Sequence, residues 1–559
     1  MRKNNHTFQR YTGTIRGIAA VCAAAGTVAV IGTACGSGAS GVPALGGKDS
    51  TNAAESSEAD QNTKISGSET KGEIAITAKD GNIDVSGQNS DSVKVTGTTV
   101  TITKAGTYRL SGVLEEGQIL VEAGDKDDVQ LVLDGFSISN SETSPIYVKT
   151  SGNFFLVPEA GTENVVEDKR EAASATGSTS QEEIPDAAIY SKSDLYIIGT
   201  GTLNVTGGYA DGIHGKDLLM VSEAATLNIT ATEHGINGKD SLEIQAGTFN
   251  ITSGEDALHS KGDVIISDGT LSISASDDGI HAENEVRIDG GTIDISDSYE
   301  GLEALMVTIN GGDLRVTASD DGVNSAGGAD SSGGMFDVTE GAAVTINGGT
   351  VYITSEGDGI DSNGDVTITG GDIYVDGPAM DGNASLDYNG TATITGGSFA
   401  LTGSSGMFQN FSEDSSQVQL IVYYSERQAA GTEIIVEDSE GNVIYSNADS
   451  QKDFSVFLLS SPELKSGETY TVKTGELEET VTVEGLTGTI GERSANMMGG
   501  RMGGGPGQGG PGGQGGQRGQ GGPGGQGRPE GQNGPSDMNG MPEGNPEGGE
   551  MAPQTAPQN

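Results

Sequence analysis

Residues 256–281 read DALHSKGDVIISDGTLSISASDDGIH, and this stretch shows the pattern that decides the fold. An acidic residue followed by a small and an apolar residue stands at Asp256 and returns 22 residues later at Asp278. Between these two positions lie two runs in which apolar and polar residues alternate, separated by an Asp-Gly pair. Alternation with a period of two predicts half-buried strands, and Asp-Gly predicts a tight turn between them.

The same opening recurs with a period near 22 residues between residues 187 and 405. In chain order the openings are Asp211-Gly-Ile-His, His234-Gly-Ile-Asn, Asp256-Ala-Leu-His, Asp278-Gly-Ile-His, Glu300-Gly-Leu-Glu, Asp321-Gly-Val-Asn and Asp358-Gly-Ile-Asp. They are 23, 22, 22, 22, 21 and 37 residues apart, and the last interval carries an insertion at 326–340. Three short strands and three turns per period predict an all-β chain folded as a parallel β-helix. A β-sandwich would not keep the same residue types at one phase.

Composition divides the rest of the chain. We expect the β-helix to span 72–414, with irregular opening rungs at 72–186 and a polar loop at 163–185. Residues 415–490 have longer alternating runs without the repeat, which predicts a small β cap over the last rung. Residues 36–71 and 491–559 are poor in large apolar residues, so we expect a disordered tether and a disordered Gly/Pro/Gln-rich tail.

The first 35 residues have the organisation of an export signal. Four basic residues precede an apolar run at 17–34, and the sequence Ile31-Gly-Thr-Ala-Cys35 resembles a bacterial lipoprotein cleavage box. We expect a lipid anchor on Cys35 and a location on the extracellular face of the bacterial membrane or in the cell wall. Simple cleavage and an uncleaved anchor are the alternatives.

The net charge of the chain limits the kinds of molecule that it can bind. The chain has 80 acidic and 29 basic residues, a net charge of −51, so nucleic acid and anionic membrane surfaces are excluded over most of its surface and cations are favoured. The membrane contact that we expect is the lipid anchor. Cys22 and Cys35 are the two cysteines, which excludes thiolate metal sites and disulfides from the body of the protein. We expect a monomer.

Acidic residues recur at fixed phases of the repeat. In a β-helix, residues at one phase stack about 4.8 Å apart, so their charges repel unless a cation lies between rungs. Calcium takes 6–8 oxygen ligands and suits such a column. The predicted calcium ligands are Asp211, Glu255, Asp256, Asp277, Asp278, Glu300, Asp320, Asp321, Asp358 and Asp361. Three positions after each opening we expect a parallel column of His214, Asn237, His259, His281, Glu303, Asn324, Asp361 and Asp381.

Two other interpretations of these columns stay open. Each Asp-Gly could simply form a turn whose carboxylate accepts hydrogen bonds from backbone amides. The shared phase of His214, His259 and His281 could also indicate zinc, although the surrounding donors are hard oxygens and no cysteine is nearby.

Lysines occupy a further phase of the repeat. The segments are Pro145-Ile-Tyr-Val-Lys149, Ala188-Ile-Tyr-Ser-Lys192, Gly212-Ile-His-Gly-Lys216, Gly235-Ile-Asn-Gly-Lys239 and Ala257-Leu-His-Ser-Lys261. A stacked column of ammonium groups could pair with neighbouring acids, which contributes little. It could instead bind an extended polyanion such as a uronic-acid polymer, with calcium bridging further carboxylates.

These motifs, together with Val100-Thr-Ile-Thr-Lys-Ala-Gly-Thr-Tyr-Arg-Leu-Ser-Gly and Leu131-Val-Leu-Asp-Gly-Phe, resemble the bacterial calcium-containing carbohydrate-binding β-helix proteins, whose fold is similar to that of pectate lyases. The resemblance covers residues 72–490. It implies a right-handed helix, calcium between rungs and binding of polygalacturonate or cellulose-like glycans. The absence of Trp departs from the flat aromatic platforms that bind cellulose.

The sequence therefore predicts a surface protein that binds acidic polysaccharide with calcium and performs no reaction. One alternative is a calcium-dependent polysaccharide lyase with Lys216, Lys239 or Lys261 as the base. Another is a calcium-stabilised adhesin that binds no sugar.

Overall fold

The alternating runs form the rungs of a parallel β-solenoid of about 11 turns, so the predicted fold class is confirmed. The computed structural model describes residues 72–171, 184–326, 337–448 and 450–493. The predicted signal with Cys35, the predicted tether and the tail from residue 494 lie outside the described residues, as does most of the insertion at 326–340. Among the described residues, no helix has the length and apolar character needed to cross a membrane.

Each rung has three strands, and every second side chain points inward. In the rung that starts at Leu258, the five inward apolar side chains are at most 1% exposed: Leu258, Val264, Ile266, Leu271 and Ile273. Gly269 turns the chain between the second and third strands with a φ of +134°, a conformation that residues with a Cβ rarely adopt. Side chains of successive rungs stack into one continuous core.

The first strand of each rung belongs to a 13-stranded sheet, which we call face 1. All its pairings are parallel except the antiparallel pair formed by its first two strands. Its strands are Val93–Thr96, Thr99–Ile102, Gln118–Glu122, Ile146–Thr150, Ala187–Ser191, Asp211–Gly215, Ile236–Gly238, Leu258–Ser260, Ile280–Ala282, Leu302–Glu303, Val323–Ser325, Ile360–Ser362 and Asp387–Tyr388.

The second and third strands of each rung lie in one 27-stranded sheet that folds around the other two sides, faces 2 and 3. Face 2 contains Phe154–Pro158, Leu195–Ile197, Leu218–Val221, Ser241–Ile244, Asp263–Ile266, Glu285–Ile288, Met306–Ile309, Ala343–Ile346, Asp365–Ile368 and Ala392–Ile394. Face 3 contains Glu163–Asp168, Thr202–Gly207, Thr226–Ala231, Thr248–Ser253, Thr270–Ala275, Thr292–Asp297, Asp313–Ala318, Thr350–Ser355, Asp372–Asp376 and Ser398–Gly403.

The opening rungs are less regular. Two long strands, Gly106–Leu114 and Val129–Asn140, run along both faces 2 and 3, and Ile74–Lys79 and Asn82–Ser86 precede them, with a 3-10 turn at Ser90–Ser92. The expectation of a loop over 163–185 is wrong in its first part, because Glu163–Asp168 pairs in parallel with its neighbours in face 3. Residues 172–183 lie outside the described part of the chain.

Longer antiparallel strands follow the last rung. Phe454–Ser460 pairs with the last strand of face 3, so this edge of the sheet is covered. The three strands that join this sheet are Gln419–Gln428, Phe454–Ser460 and Thr487–Ile490. A separate four-stranded sheet contains Ile434–Glu437, Val443–Asn447, Thr469–Thr474 and Leu477–Thr482.

The inward column predicts a position-specific stability effect. Ile266 is 0% exposed whereas its neighbour Ile265 points outward. Ile266→Val removes one buried methylene and leaves a small cavity, so we expect a loss of about 1 kcal/mol in the free energy of unfolding. Ile265→Val serves as the matched control and should stay within about 0.5 kcal/mol of the parent protein. Urea unfolding measures both, and equal effects would contradict the assigned inward and outward phases.

Candidate metal centre

Face 1 carries one outward side chain per rung, and strand register stacks these side chains in a single line, the outer column. It consists of Tyr147, Tyr190, His214, Asn237, His259, His281, Glu303, Asn324, Asp361 and Asp387. The expectation that Asp381 follows Asp361 is wrong, because Asp387 pairs with Asp361. The interval between these two residues is longer than one repeat, so counting by 22 residues stops too early.

The predicted acidic openings stack at the corner that precedes face 1. Backbone hydrogen bonds hold this corner column in line, because the residue after each corner donates its N–H to the corner carbonyl of the next rung. The column consists of Asp211, His234, Asp256, Asp278, Glu300, Asp321 and Asp358. Glycine follows every member of this column except Asp256, which Ala257 follows, and Gly279 shows the packing reason. A Cβ on Gly279 would lie 2.7 Å from the carbonyl oxygen of Gly301 and 2.8 Å from the side chain of Ile295. Together with Asp186, the two columns from residue 211 onward form what we call the axial cluster.

The two oxygens of an aspartate in the corner column contact different groups. One oxygen accepts a hydrogen bond from the backbone of the next rung, as Asp256 Oδ1 does from Asp278 N at 3.1 Å. The other oxygen faces the outer column, as Asp256 Oδ2 does toward His259 Nδ1 at 2.8 Å. The turn-capping interpretation therefore accounts for one oxygen of each aspartate in this column. It does not account for Glu300, whose Oε1 accepts a hydrogen bond from the Asn324 side chain and whose Oε2 has no hydrogen-bond partner.

The first half of the axial cluster alternates imidazoles and carboxylates. His214 Nδ1 lies 2.9 Å from Asp186 Oδ1 and 3.1 Å from Asp211 Oδ2. Burial lowers the pKa of His214, but these two carboxylates outweigh burial and raise it to about 9. Burial raises the pKa of Asp211, but contacts with His214 and His234 outweigh burial and hold it below its ordinary value. Charges in this half therefore offset one another.

The second half of the axial cluster begins at Asp278. Its possible ligand atoms are oxygens, apart from the imidazole of His281. The carboxylates of Asp278, Glu300 and Glu303 bring one oxygen each within 4.8 Å of one another. Burial, and then the charges of Glu303 and Asp278, raises the pKa of Glu300 to about 9. Glu300 Oε2 and Asn324 Oδ1 are buried without a hydrogen-bond partner. Oxygen atoms of this kind are the ligands that hard cations such as calcium prefer.

Three more carboxylates extend this half toward the C-terminal end of the helix. Burial and the charges of neighbouring carboxylates raise the pKa values of Asp321, Asp358 and Asp361 to about 7 each. Burial also raises the pKa of Asp387, the next residue of the outer column. The negative charges of this group are therefore not offset, in contrast to those of the imidazole half.

The predicted ligands fall into two groups. Asp211, Asp256, Asp278, Glu300, Asp321, Asp358 and Asp361 lie in the axial cluster, whereas Glu255, Asp277 and Asp320 stand at its rim. Neighbouring residues along an extended chain point in opposite directions, which separates each doubled pair. The Glu255 side chain is 49% exposed, Asp277 is exposed, and Asp320 contacts Tyr299 instead.

Besides the histidines, five members of the cluster were not among the predicted calcium ligands: Asp186, Asn237, Glu303, Asn324 and Asp387. Glu303 and Asn324 have the phase of the outer column, so counting three residues from each opening identifies them. Asp387 is displaced by the longer interval after Asp361, and Asp186 precedes the first repeat opening. Sequence spacing carries no signal for the last two residues.

The predicted lysine column is also stacked. Lys192, Lys216, Lys239 and Lys261 follow face 1 and donate backbone hydrogen bonds to the preceding rung, over distances of 2.8–3.0 Å. Each of these lysines lies two positions after the outer-column residue of its rung and directly follows the last residue of the face 1 strand. Some surface pairing exists, since Lys149 Nζ lies 3.1 Å from Glu122 and Lys261 Nζ lies 3.6 Å from Glu283.

A separate polar surface lies on the outer side of face 3. Side-chain amides form a ladder there, in which Asn228 donates to Asn204 and Asn250 donates to Asn228, each at 2.8 Å. Together with the adjacent threonines they line an open groove of about 420 Å³. This surface is uncharged over several rungs, unlike face 1.

Comparison with known proteins gives three matches. Residues 96–343 match the family model described as carbohydrate-binding domain-containing protein. A carbohydrate-binding domain-containing protein of Acetivibrio thermocellus is 36% identical over 138 residues, which are 25% of this chain and 47% of that relative. The chain thus spans about half the length of the curated relative that it matches. A solved polysaccharide lyase-like protein from C. thermocellum, a gadolinium derivative, is 30% identical, covers 44% of this chain and 93% of its own, and has a TM-score of 0.34.

Proposed function

We propose that this protein binds acidic polysaccharide along face 1, with calcium ions held between rungs of the axial cluster. The observation that supports the proposal is the stack of buried carboxylates at 278–387, whose raised pKa values express uncompensated negative charge. The match of residues 96–343 to a carbohydrate-binding family supports a glycan as the partner. Pectin-like polygalacturonate is the polymer whose repeated carboxylates suit both calcium and lysine.

Calcium fits the donors of the second half. Asp278, Glu300 and Glu303 supply carboxylate oxygens from two adjacent rungs, and the unpartnered Asn324 Oδ1 supplies an amide oxygen. Asp321, Asp358 and Asp361 supply a further set. Bound calcium would neutralise these charges and offer its remaining coordination positions to carboxylates of the glycan.

The two ladders occupy different parts of the same face. The lysine column ends at Lys261 and is followed at the same phase by Glu283, whereas the oxygen half begins at Asp278. A polyanion lying along the axis would meet ammonium groups over the first rungs and cation sites over the later ones. Because both ladders repeat every 4.8 Å or so, an extended polymer can contact many rungs at once.

The lysine column gives the test of this proposal. In Lys216→Ala/Lys239→Ala/Lys261→Ala we expect affinity for polygalacturonate in calcium to fall about tenfold or more, since each surface contact contributes up to about 1 kcal/mol. The remaining binding should depend less on salt. Affinity electrophoresis in gels containing polygalacturonate, with and without chelator, measures both effects.

Two controls separate the surfaces. Lys79→Ala/Lys94→Ala/Lys126→Ala removes the same charge from exposed lysines outside the column and should leave binding unchanged. Asn228→Ala/Asn250→Ala alters the groove of face 3. Loss of binding in this second variant, with none in the column variant, would contradict the assignment to face 1.

The same assays address the rival functions. Release of unsaturated product that absorbs in the ultraviolet would replace the binding proposal with a lyase. Absence of retention on every acidic glycan, with calcium still bound, would leave a calcium-stabilised adhesin. We further propose that the protein acts at the extracellular face of a bacterial membrane or in the cell wall, anchored through Cys35. Labelling with radioactive palmitate, lost in Cys35→Ala, tests the anchor.

A further inference from the structure

The histidines of this chain are not distributed at random. The sequence contains five, and apart from His6 all of them lie in the axial cluster: His214, His234, His259 and His281. They occupy four successive rungs, with His214, His259 and His281 in the outer column and His234 in the corner column. Neighbouring rings approach closely, with centroids 4.4 Å apart for His234 and His259 and 5.2 Å apart for His259 and His281. Imidazole is thus confined to one segment of one cluster.

The innermost of these rings has unused donor atoms. His214 is 8% exposed, and neither of its ring nitrogens makes a hydrogen bond. Its Nδ1 nevertheless lies 2.9 Å from Asp186 Oδ1 and 3.1 Å from Asp211 Oδ2. Asp186 Oδ1 is itself buried without a hydrogen bond. His214 Nδ1 and Asp186 Oδ1 therefore meet without a hydrogen bond, beside Asp211 Oδ2, which accepts a hydrogen bond from Asn237 Nδ2 at 3.0 Å.

The next rungs hold a second group of three possible metal ligands. Asp256 Oδ2 lies 2.8 Å from His259 Nδ1 and 3.5 Å from His234 Nε2. Ligand atoms around a tetrahedral zinc ion are about 3.3 Å apart, because each bond is about 2.0–2.1 Å long. In each group the two distances given lie within about 0.6 Å of this value, and all three ligand atoms lie within 4.8 Å of one another. Two carboxylates with one imidazole, and one carboxylate with two imidazoles, are donor sets that suit borderline transition metals.

We propose that the imidazole half of the axial cluster binds transition-metal ions of the zinc class, one at Asp186, Asp211 and His214 and one at His234, Asp256 and His259. Each site has three protein ligands and leaves a fourth position open. Calcium prefers oxygen ligands and more of them, so the two halves of the cluster select different ions. This inference depends on neither calcium nor glycan binding.

Cobalt is the spectroscopic probe. Metal-free protein titrated with Co²⁺ in excess Ca²⁺ is expected to develop visible d–d absorption of a four- or five-coordinate ion, and Zn²⁺ should displace it. In His214→Gln/His259→Gln the cobalt signal should fall at least tenfold at the same metal concentration. Glu426→Gln, at an exposed carboxylate outside the axial cluster, is the control and should leave the cobalt signal unchanged.

Several outcomes would overturn the proposal. These are a purely six-coordinate aquo spectrum, a signal that the two histidine substitutions leave intact, and full displacement by Ca²⁺ alone. Circular dichroism of each metal-free variant checks folding. If the double variant does not fold, X-ray absorption of the zinc-loaded parent protein decides, because imidazole scattering supports the sites and its absence rejects them. A failed zinc test would leave polygalacturonate binding in calcium unaffected, so the two proposals can fail separately.

Discussion

The stability effect of replacing Glu300 and Glu303 together by glutamine is expected to change sign with calcium. The metal-free variant becomes more stable than the metal-free parent, and the calcium-loaded variant becomes less stable than the calcium-loaded parent. Without a cation, burial and the charges of Glu303 and Asp278 disfavour the charged form of Glu300, and its pKa rises to about 9. Neutral amides remove that cost, which is at most about 5 kcal/mol at pH 8, because pH 8 lies 3.5 units above the ordinary pKa of 4.5 and one unit corresponds to about 1.4 kcal/mol.

Calcium reverses the difference in stability between parent and variant, because the carboxylate oxygens that repel one another in the metal-free protein become calcium ligands. A ligand present at 100 times its dissociation constant stabilises the folded state by about 2.7 kcal/mol. The parent protein should gain about that amount, whereas the double variant should lose most of the gain from this site. Glutamine preserves the shape of the side chain and the hydrogen bond that Asn324 donates to Glu300 Oε1, so the packing of the rung is maintained. Differential scanning calorimetry with chelator and with calcium measures the crossover.

Glu255→Gln provides the matched control at the rim of the cluster. Its side chain is 49% exposed, so the same change of charge should leave both melting temperatures nearly unchanged. A double variant that is destabilised equally with and without calcium would show that these carboxylates serve packing alone. A full calcium response in that variant would move the calcium to another part of the chain.

Most of the fold could be predicted from the repeat, because residues that are one period apart in sequence lie above one another in successive rungs. Openings such as Asp256 and Asp278 recur at a fixed interval, and their following residues His259 and His281 pair in register as expected. The failures occur where the period breaks. Asp387 replaces Asp381 in the outer column because the chain inserts extra residues between rungs, and the strand at 163–168 precedes the regular repeat.

The site was harder to predict because phase gives a position along the helix and not the direction of a side chain. The pairs at 277–278 and 320–321 look equivalent in sequence, yet in each pair one carboxyl enters the cluster and the other stays at the rim. His234 occupies an acidic phase and thereby joins two imidazole-containing groups. The three-dimensional arrangement also shows that His281 connects the two halves, since its Nδ1 lies 3.8 Å from Asp256 Oδ2 and 3.1 Å from Glu303 Oε2.

The metal-free protein is also expected to lose stability as pH rises from about 5 to 9. Folding raises the pKa of Glu300 to about 9 and those of Asp321, Asp358 and Asp361 to about 7, so the folded state holds protons that the unfolded state has released. Stability falls with pH wherever the folded state binds more protons, by about 1.4 kcal/mol per pH unit for each proton. His214 and His281, with pKa values raised to about 9, contribute in the same direction between about 6.5 and 9.

Calcium should flatten this dependence, because a divalent ion supplies the positive charge that protons supply in the metal-free protein. The lowered pKa values of Asp211 and Asp256 act at the other end of the range, since their contribution is lost as pH falls below about 4. We therefore expect a stability maximum near pH 5 in chelator, shifted toward neutral pH in calcium. Urea unfolding at a series of pH values measures both curves, and Glu300→Gln/Glu303→Gln should have the shallower slope in chelator. A metal-free protein that gains stability between pH 5 and 9 would mean that the carboxylates of the oxygen half are solvated, and the physical reason for a cation between the rungs would be removed.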